Sequence, residues 1–244
     1  MSGHNKWGQI KHKKAITDAK KGQLFSKLIK EIVVAVKVGG ADPKTNTRLR
    51  TAMEHAQTVN LSKDNIDRAI LRASGEGKEA TLTEFLYEAS GSGGAAILIE
   101  GITDSKNRTV AEIKHLLSEH GGKLAEQGSL LWNFEKIGII SINPARNFSK
   151  TKEEIALALI EAGAKDFKIE EEEIIGETLF QEKEHIRMLL EQFGIVVDEI
   201  YHNYKALNPV SPSPEDLAKT ETLIEALLDH DDVQEIYTNI IQQP

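Results

Sequence analysis

Up to Gly75 the apolar residues of this chain recur at helical spacing, and after Gly77 they recur at strand spacing with helices in between. A chain patterned this way has to build a helical layer first and mixed sheets afterwards. Over residues 17–37, at about 100° per residue, Leu24, Phe25, Leu28, Ile29, Ile32 and Val36 fall on one side. Lys20, Lys27, Lys30 and Lys37 fall on the other, with Lys21 out of line. Gly39-Gly40-Ala41-Asp42-Pro43 ends this helix, because glycine accepts a left-handed cap and the residue before proline is pushed out of the helical region. A second helix is expected over 46–59. A third runs to residue 74, with Ser62 as its cap and Ile66, Ala69, Ile70 and Ala73 as its apolar stripe.

Beyond Gly77, LTEFLYEA and AAILIEGIT read as strands joined by SGSGG, NRTVAEIKHLLSEHGG as a helix and LLWNFEK as a further strand. From GIISI onward the order is strand, helix (KEEIALALIEAG), two strands (KDFKIEEEEI and GETLF), helix (KEHIRMLLEQFG) and strand (IVVDEIYHNYKA). This βαββαβ order is that of a ferredoxin-like unit. The closing helix EDLAKTETLIEALLDH and strand VQEIYTNI have no local partner, so they are expected to return and complete the earlier ββαβ piece. The fold class is therefore α+β, an N-terminal three-helix domain followed by two α/β modules, one a ferredoxin-like βαββαβ unit inserted in the other. The expected boundaries are 1–78 for the basic arm and helical domain, 79–135 with 207–244 for the split domain, and 136–206 for the insert.

A formal net charge of -8 conceals an uneven distribution. Residues 1–80 carry 16 Lys+Arg against 8 Asp+Glu, and the remaining 164 residues carry 14 against 30. Such asymmetry marks one polyanion-facing region on an otherwise acidic body. Lys6, Lys11, Lys13, Lys14, Lys20, Lys21, Lys27 and Lys30 lie in the first thirty residues, with Trp7 and His12 among them. Lysines near phosphates displace condensed counterions, and a ring flanked by cations suits stacking on an unpaired base. Anchoring of the arm by Trp7 and Ile10, with the lysines merely solvated, is the competing reading. Arg48 and Arg50 add cations suited to bidentate phosphate contacts, or equally to surface pairs with nearby carboxylates.

Other chemistries find little support. Cysteine is absent, which removes disulfides, thiol nucleophiles and the usual zinc fingers together. Gly91-Ser92-Gly93-Gly94 leads from strand to strand rather than into a helix, so it reads as a hairpin turn and not as a phosphate cradle. His115 and His120 are five apart and share no helical face, and the run Glu170–Glu173 reads as an exposed acidic strand that resists edge pairing. No nucleophile motif appears. We therefore expect no catalysis, no cofactor, no metal, no small-molecule substrate and no membrane span. The start has no secretory apolar region, and with no arginine before Arg48 it does not resemble a mitochondrial leader, so a cytoplasmic location is expected.

The runs GHNKWGQIKHKK, DAKKGQLFSKLIKEI, GGADP with NTRLR, KDNIDRAI, TDSKNRT, GGKLAEQGSLLWNF and LIEALLDHDDVQEIY follow one another in an order that resembles the YebC/PmpR family over essentially the whole chain. That family includes bacterial proteins labelled transcriptional regulators and relatives of the mitochondrial translational activator of cytochrome c oxidase. One departure is Tyr87-Glu88-Ala89-Ser90-Gly91-Ser92-Gly93-Gly94, where the family's YEGYGPGG has a second tyrosine and a proline. The resemblance implies a three-domain fold and a non-enzymatic role in gene expression, as a DNA-binding transcriptional regulator or, alternatively, as a factor contacting ribosomal RNA on the ribosome. The contact residues it implies are Lys6, Trp7, Lys11, His12, Lys13 and Lys14, with the lysines of the first helix.

Overall fold

The computed structural model describes residues 18–75 and 82–241. Three helices come first, α1 (Asp18–Gly39), α2 (Thr47–Thr58) and α3 (Lys63–Ser74). They are followed by β1 (Thr83–Ser90), β2 (Ala96–Thr103), α4 (Lys106–Glu119), β3 (Lys123–Leu124) and β4 (Phe134–Ile142). Next come α5 (Lys152–Glu161), β5 (Asp166–Ile169), β6 (Ile174–Leu179), α6 (Lys183–Gln192) and β7 (Glu199–Ala206), and the chain closes with α7 (Pro214–Leu228) and β8 (Val233–Thr238). The architecture is α+β with two four-stranded sheets. Among the described residues no helix is long and apolar enough to cross a membrane.

The described chain divides into two compact units, one running up to Asn133 and resuming at Ala206, the other Phe134–Lys205. In the first, the apolar stripe of α1 (Leu28, Ile32, Val36) packs on Leu49, Ala52 and Ala56 of α2 and on Ile66 and Ala69 of α3. Asn46 makes the corner between α1 and α2. Its side chain accepts from the Leu49 amide at 3.0 Å, which caps α2, and donates to the carbonyls of Ala35 and Gly40 at 2.8 and 2.7 Å. Gly40, at φ +85°, supplies the left-handed residue that releases the chain from α1. Ser62 occupies the cap position of α3, but its side chain makes no capping hydrogen bond.

The sheet of this unit has the order β3-β1-β2-β8. Its β1–β2 hairpin pairs Thr83 with Thr103 through to Ser90 with Ala96, and β8 returns from the far end of the sequence to lie antiparallel beside β2. Phe85, Ala89, Ile97 and Ile99 of the sheet bury against Ile113 and Leu117 of α4, Leu223, Ile224 and Leu227 of α7, and Val233 and Ile236 of β8. The glycine-rich turn is a hairpin turn, with Gly93 and Gly94 at φ +65° and +79°.

The second unit has strand order β5-β6-β4-β7 with α5 and α6 between its strands in sequence, the ferredoxin-like topology. Ile140, Ile142, Ile174 and Ile200 face Ile155 and Leu159 of α5 and Ile186 and Leu190 of α6. Two sequence expectations need correction here. LLWNFEK and GIISI are not separate strands, because Leu131–Asn133 forms a single tight turn and one strand, β4, then runs unbroken through Gly138. Gly138 is not a break but a crowded interior position, where a Cβ would come within 2.8 Å of side chains of Lys183 and Thr178. The third strand of the first sheet is instead the two-residue β3. Nor is Glu170–Glu173 a strand. The Glu170 amide donates to the Glu173 carbonyl at 2.8 Å, closing the β5–β6 hairpin, and Lys152 donates to the carbonyls of Glu170 and Glu171.

Candidate nucleic-acid interface

Lys6, Trp7, Lys11, His12, Lys13 and Lys14 lie outside the described residues. The remaining candidate contacts belong to α1 and α2, and their surroundings decide which of them can face a partner.

Positions 20, 23, 27 and 30 fall on one stripe of α1, three and four residues apart. That stripe meets the C-terminal end of α7, where the last carbonyls of a helix have no partner within it and carry the negative end of its dipole. Lys27, only 4% exposed, donates to the Leu228 carbonyl at 2.6 Å. Gln23 donates to the Asp229 carbonyl and to Asp231 Oδ1 at 3.1 Å, and Lys20 reaches Asp229 Oδ1 at 3.4 Å. Lys30 donates to the Asp231 carbonyl at 3.0 Å and to Asp232 Oδ1 at 2.5 Å.

Asp232 is the hub of this contact. Its carboxylate is almost wholly buried and accepts, on Oδ2, from Arg108 at 2.8 Å and from the Thr109 hydroxyl at 2.6 Å. Burial pushes its pKa up, but the hydrogen bonds from Lys30, Thr109 and Arg108 outweigh that and hold it well below the ordinary carboxylate range. The Asp232 amide donates to His230 Nδ1 at 3.1 Å, so His230 Nε2 carries the proton towards Glu112 at 3.0 Å. Glu112, His230 and Asp232 lie close enough together to hold a metal ion. Lys30, Arg108 and Thr109 already occupy the Asp232 oxygens, and two cations beside the carboxylate oppose a third.

On α1, Lys27 and Lys30 are thus hydrogen-bonded within their own chain. Lys27 and Lys30 turn towards their own chain because the faces of α1 are two-sided only in isolation: opposite its apolar stripe it meets an acidic helix end. Arg48 of α2 pairs with Glu84 of β1; burial lowers the pKa of its guanidinium, but the Glu84 carboxylate more than offsets that and raises it. Lys20 stays more than half exposed beside Asp229. Lys21 is exposed and Arg50 half-buried, and neither has an ion pair among the described residues. The counterpart of the α1 stripe, Asp229-His230-Asp231-Asp232, was visible in sequence as an acidic knot just past an amphipathic helix, but nothing local assigns it to lysines some 200 positions earlier.

A second arrangement escaped the sequence reading. The buried carboxylate of Glu88 accepts from the amides of Gly128, Leu130 and Leu131 at 2.5, 2.6 and 2.9 Å. It fixes the loop that presents Trp132, 64% exposed with its indole N–H donating to the Ser129 carbonyl.

Comparison with known proteins places these features in a family. Residues 5–76 match the TACO1/YebC protein N-terminal domain and residues 82–240 the TACO1/YebC second and third domain. A protein of Thermoanaerobacter pseudethanolicus named "Probable transcriptional regulatory protein" is 46% identical over 243 residues, covering 98% of this chain and 97% of its own. A protein of Kosmotoga olearia with the same name is 44% identical, covering 98% and 94%. Among solved structures, a conserved hypothetical protein from Aquifex aeolicus superposes with a TM-score of 0.84 at 37% identity, covering 97% of each chain.

Proposed function

Because the chain belongs to the TACO1/YebC family, we propose that it is a non-enzymatic, nucleic-acid-binding regulator of gene expression that grips the phosphate backbone through its basic N-terminal arm, assisted by Lys20, Lys21 and Arg50. The observation that carries this reading is the partition of positive charge. Lys27, Lys30 and Arg48 are engaged within the molecule, whereas Lys6, Lys11, Lys13 and Lys14 stand in a stretch with no acidic residue before Asp18. Lysines without nearby carboxylates release counterions from a polyanion and supply affinity without reading sequence. The relatives are named as probable transcriptional regulatory proteins, which supports transcription as the process regulated.

A second reading, contact with ribosomal RNA and regulation of translation, is favoured by the exposed side of α3. A helix that reads the major groove presents unencumbered donors near its N-terminus. Here Asp64 and Asp67 are exposed, and Arg68 is turned back onto the Asp64 carbonyl at 3.1 Å and Asn65 Oδ1 at 3.0 Å. Trp7 among lysines also suits unpaired bases, which folded RNA displays more than duplex DNA does. Crosslinking in growing cells, followed by sequencing of both bound DNA and bound RNA, separates the two. Promoter enrichment is the expected result for a transcriptional regulator and ribosomal RNA enrichment for a translation factor. Recovery of neither above background would remove nucleic acid from the account.

A further inference from the structure

The ferredoxin-like unit carries a cluster that the basic arm does not explain. Lys136 on β4 has its ammonium 4.4 Å from the centroid of the Phe180 ring and 5.3 Å from that of Tyr204 on β7. Lys183, at the start of α6, lies 5.2 Å from the same Phe180 centroid. His202 meets both rings edge-on, at 6.0 Å from Phe180 and 5.9 Å from Tyr204. The two lysines share one face of β4. Lys136 and Gly138 alternate onto it, and the Lys183 Cβ lies within 2.8 Å of where a Gly138 Cβ would be.

The charge balance of this cluster is unusual for an acidic unit. Among the described residues Glu135 pairs with Lys165 at 3.5 Å, Glu177 with Lys205 at 2.5 Å and Glu184 with Arg187 at 3.2 Å. Lys136 has no ion pair and no hydrogen bond among the described residues; it contacts two rings. A π face attracts a cation without neutralising it or accepting its N–H bonds as a carboxylate does. Two ammonium groups drawn to one ring also repel each other. Lys136, Phe180, Lys183 and His202 are all half-buried, so the cluster is reachable from solvent.

We propose that Lys136, Lys183, Phe180 and His202 form a second contact for single-stranded RNA, in which a backbone phosphate draws the ammonium groups off the Phe180 ring and a base takes the ring face they leave. The chemistry is that of stacking platforms paired with backbone cations. This inference rests on the nucleic-acid-binding reading above, but uses a different unit of the protein and different residues.

The test uses the full-length chain and a 20-nucleotide oligouridylate carrying 4-thiouridine. Ultraviolet crosslinking and peptide mass spectrometry are expected to place adducts on the peptide containing Phe180 or on that containing His202 and Tyr204. The Lys136→Gln, Lys183→Gln double variant is expected to lose those adducts, to bind about tenfold more weakly, and to show a salt slope shallower by about 1.4, two phosphate contacts at about 0.7 each. Lys106→Gln with Lys114→Gln, an equal loss of charge on exposed positions of α4, is expected to leave adducts and slope unchanged. Equal melting curves for the variants establish that the fold is retained. Wild-type binding with no adduct in residues 134–205, or with undiminished affinity and slope in the Lys136, Lys183 variant, overturns this inference alone. Absence of any binding by the wild type overturns it together with the reading it rests on.

Discussion

Changing Asp232 to Ala is expected to cost about 3–5 kcal/mol of stability, the range for removing one partner of a buried charge cluster, and to lower the melting temperature by about 10 °C in a protein of this size. Truncation leaves Lys30 and the Thr109 hydroxyl without their carboxylate partner, and Arg108 with only its outer contacts to Asp104 and Glu112. It also removes a principal tie between α1 and the end of the first sheet. Trypsin should therefore begin to cut at lysines of α1 that the native protein shields, Lys27 above all. The sign of the pH effect follows from the direction of the Asp232 shift. Its folded pKa is depressed, so its contribution is complete above the unfolded value of about 3.9 and is lost as pH falls towards the folded one. Unfolding free energy of the wild type should decline in acid below about pH 4, and Asp232→Asn should flatten that decline. A urea midpoint unmoved by Asp232→Ala would show that the hub does not hold α1 in place.

Changing Lys11, Lys13 and Lys14 together to Glu is expected to abolish nucleic-acid binding, a loss of more than about a hundredfold, with the melting curve unchanged. Reversing three charges removes three counterion-releasing contacts and adds three repulsive ones. Lys27 and Lys30 make the instructive contrast. Since they hold α1 against α7 and Asp232, changing them to Gln should lower stability and leave affinity little altered. The two sets of lysines are close in sequence, yet the proposal gives them opposite expected effects, one on affinity and the other on stability.

Much of the fold was legible because each element carried its own period. The ferredoxin-like order could be read from GIISI to IVVDEIYHNYKA without any long-range information. The return of α7 and β8 to the first sheet followed from a helix and a strand that had no local partner. LLWNFEK misled because the alternation does not reveal that Gly138 lies in a crowded strand interior, a fact set by Lys183 and Thr178 across the unit. The candidate site was less legible for a related reason. A helical wheel sorts Lys27 correctly as opposite the apolar stripe, but opposite apolar does not mean solvated when a helix C-terminus from the other end of the chain supplies carbonyls. Counting charges along the sequence located the basic region, while only the tertiary structure showed which cations are already neutralised. The Lys136 cluster was invisible for the same reason, since its members come from two strands, a strand end and a helix start.

The most direct test of the account is a titration of binding against salt for the full-length protein on both duplex DNA and structured RNA. For the preferred nucleic acid, log affinity should fall with log salt at a slope of about -3 to -5, as four to six phosphate contacts require, and the Lys11, Lys13, Lys14 variant should give no measurable binding from which to draw a line. A flat response of the wild type, or a variant that binds as the wild type does, would contradict the claim that this cationic arm grips a polyanion.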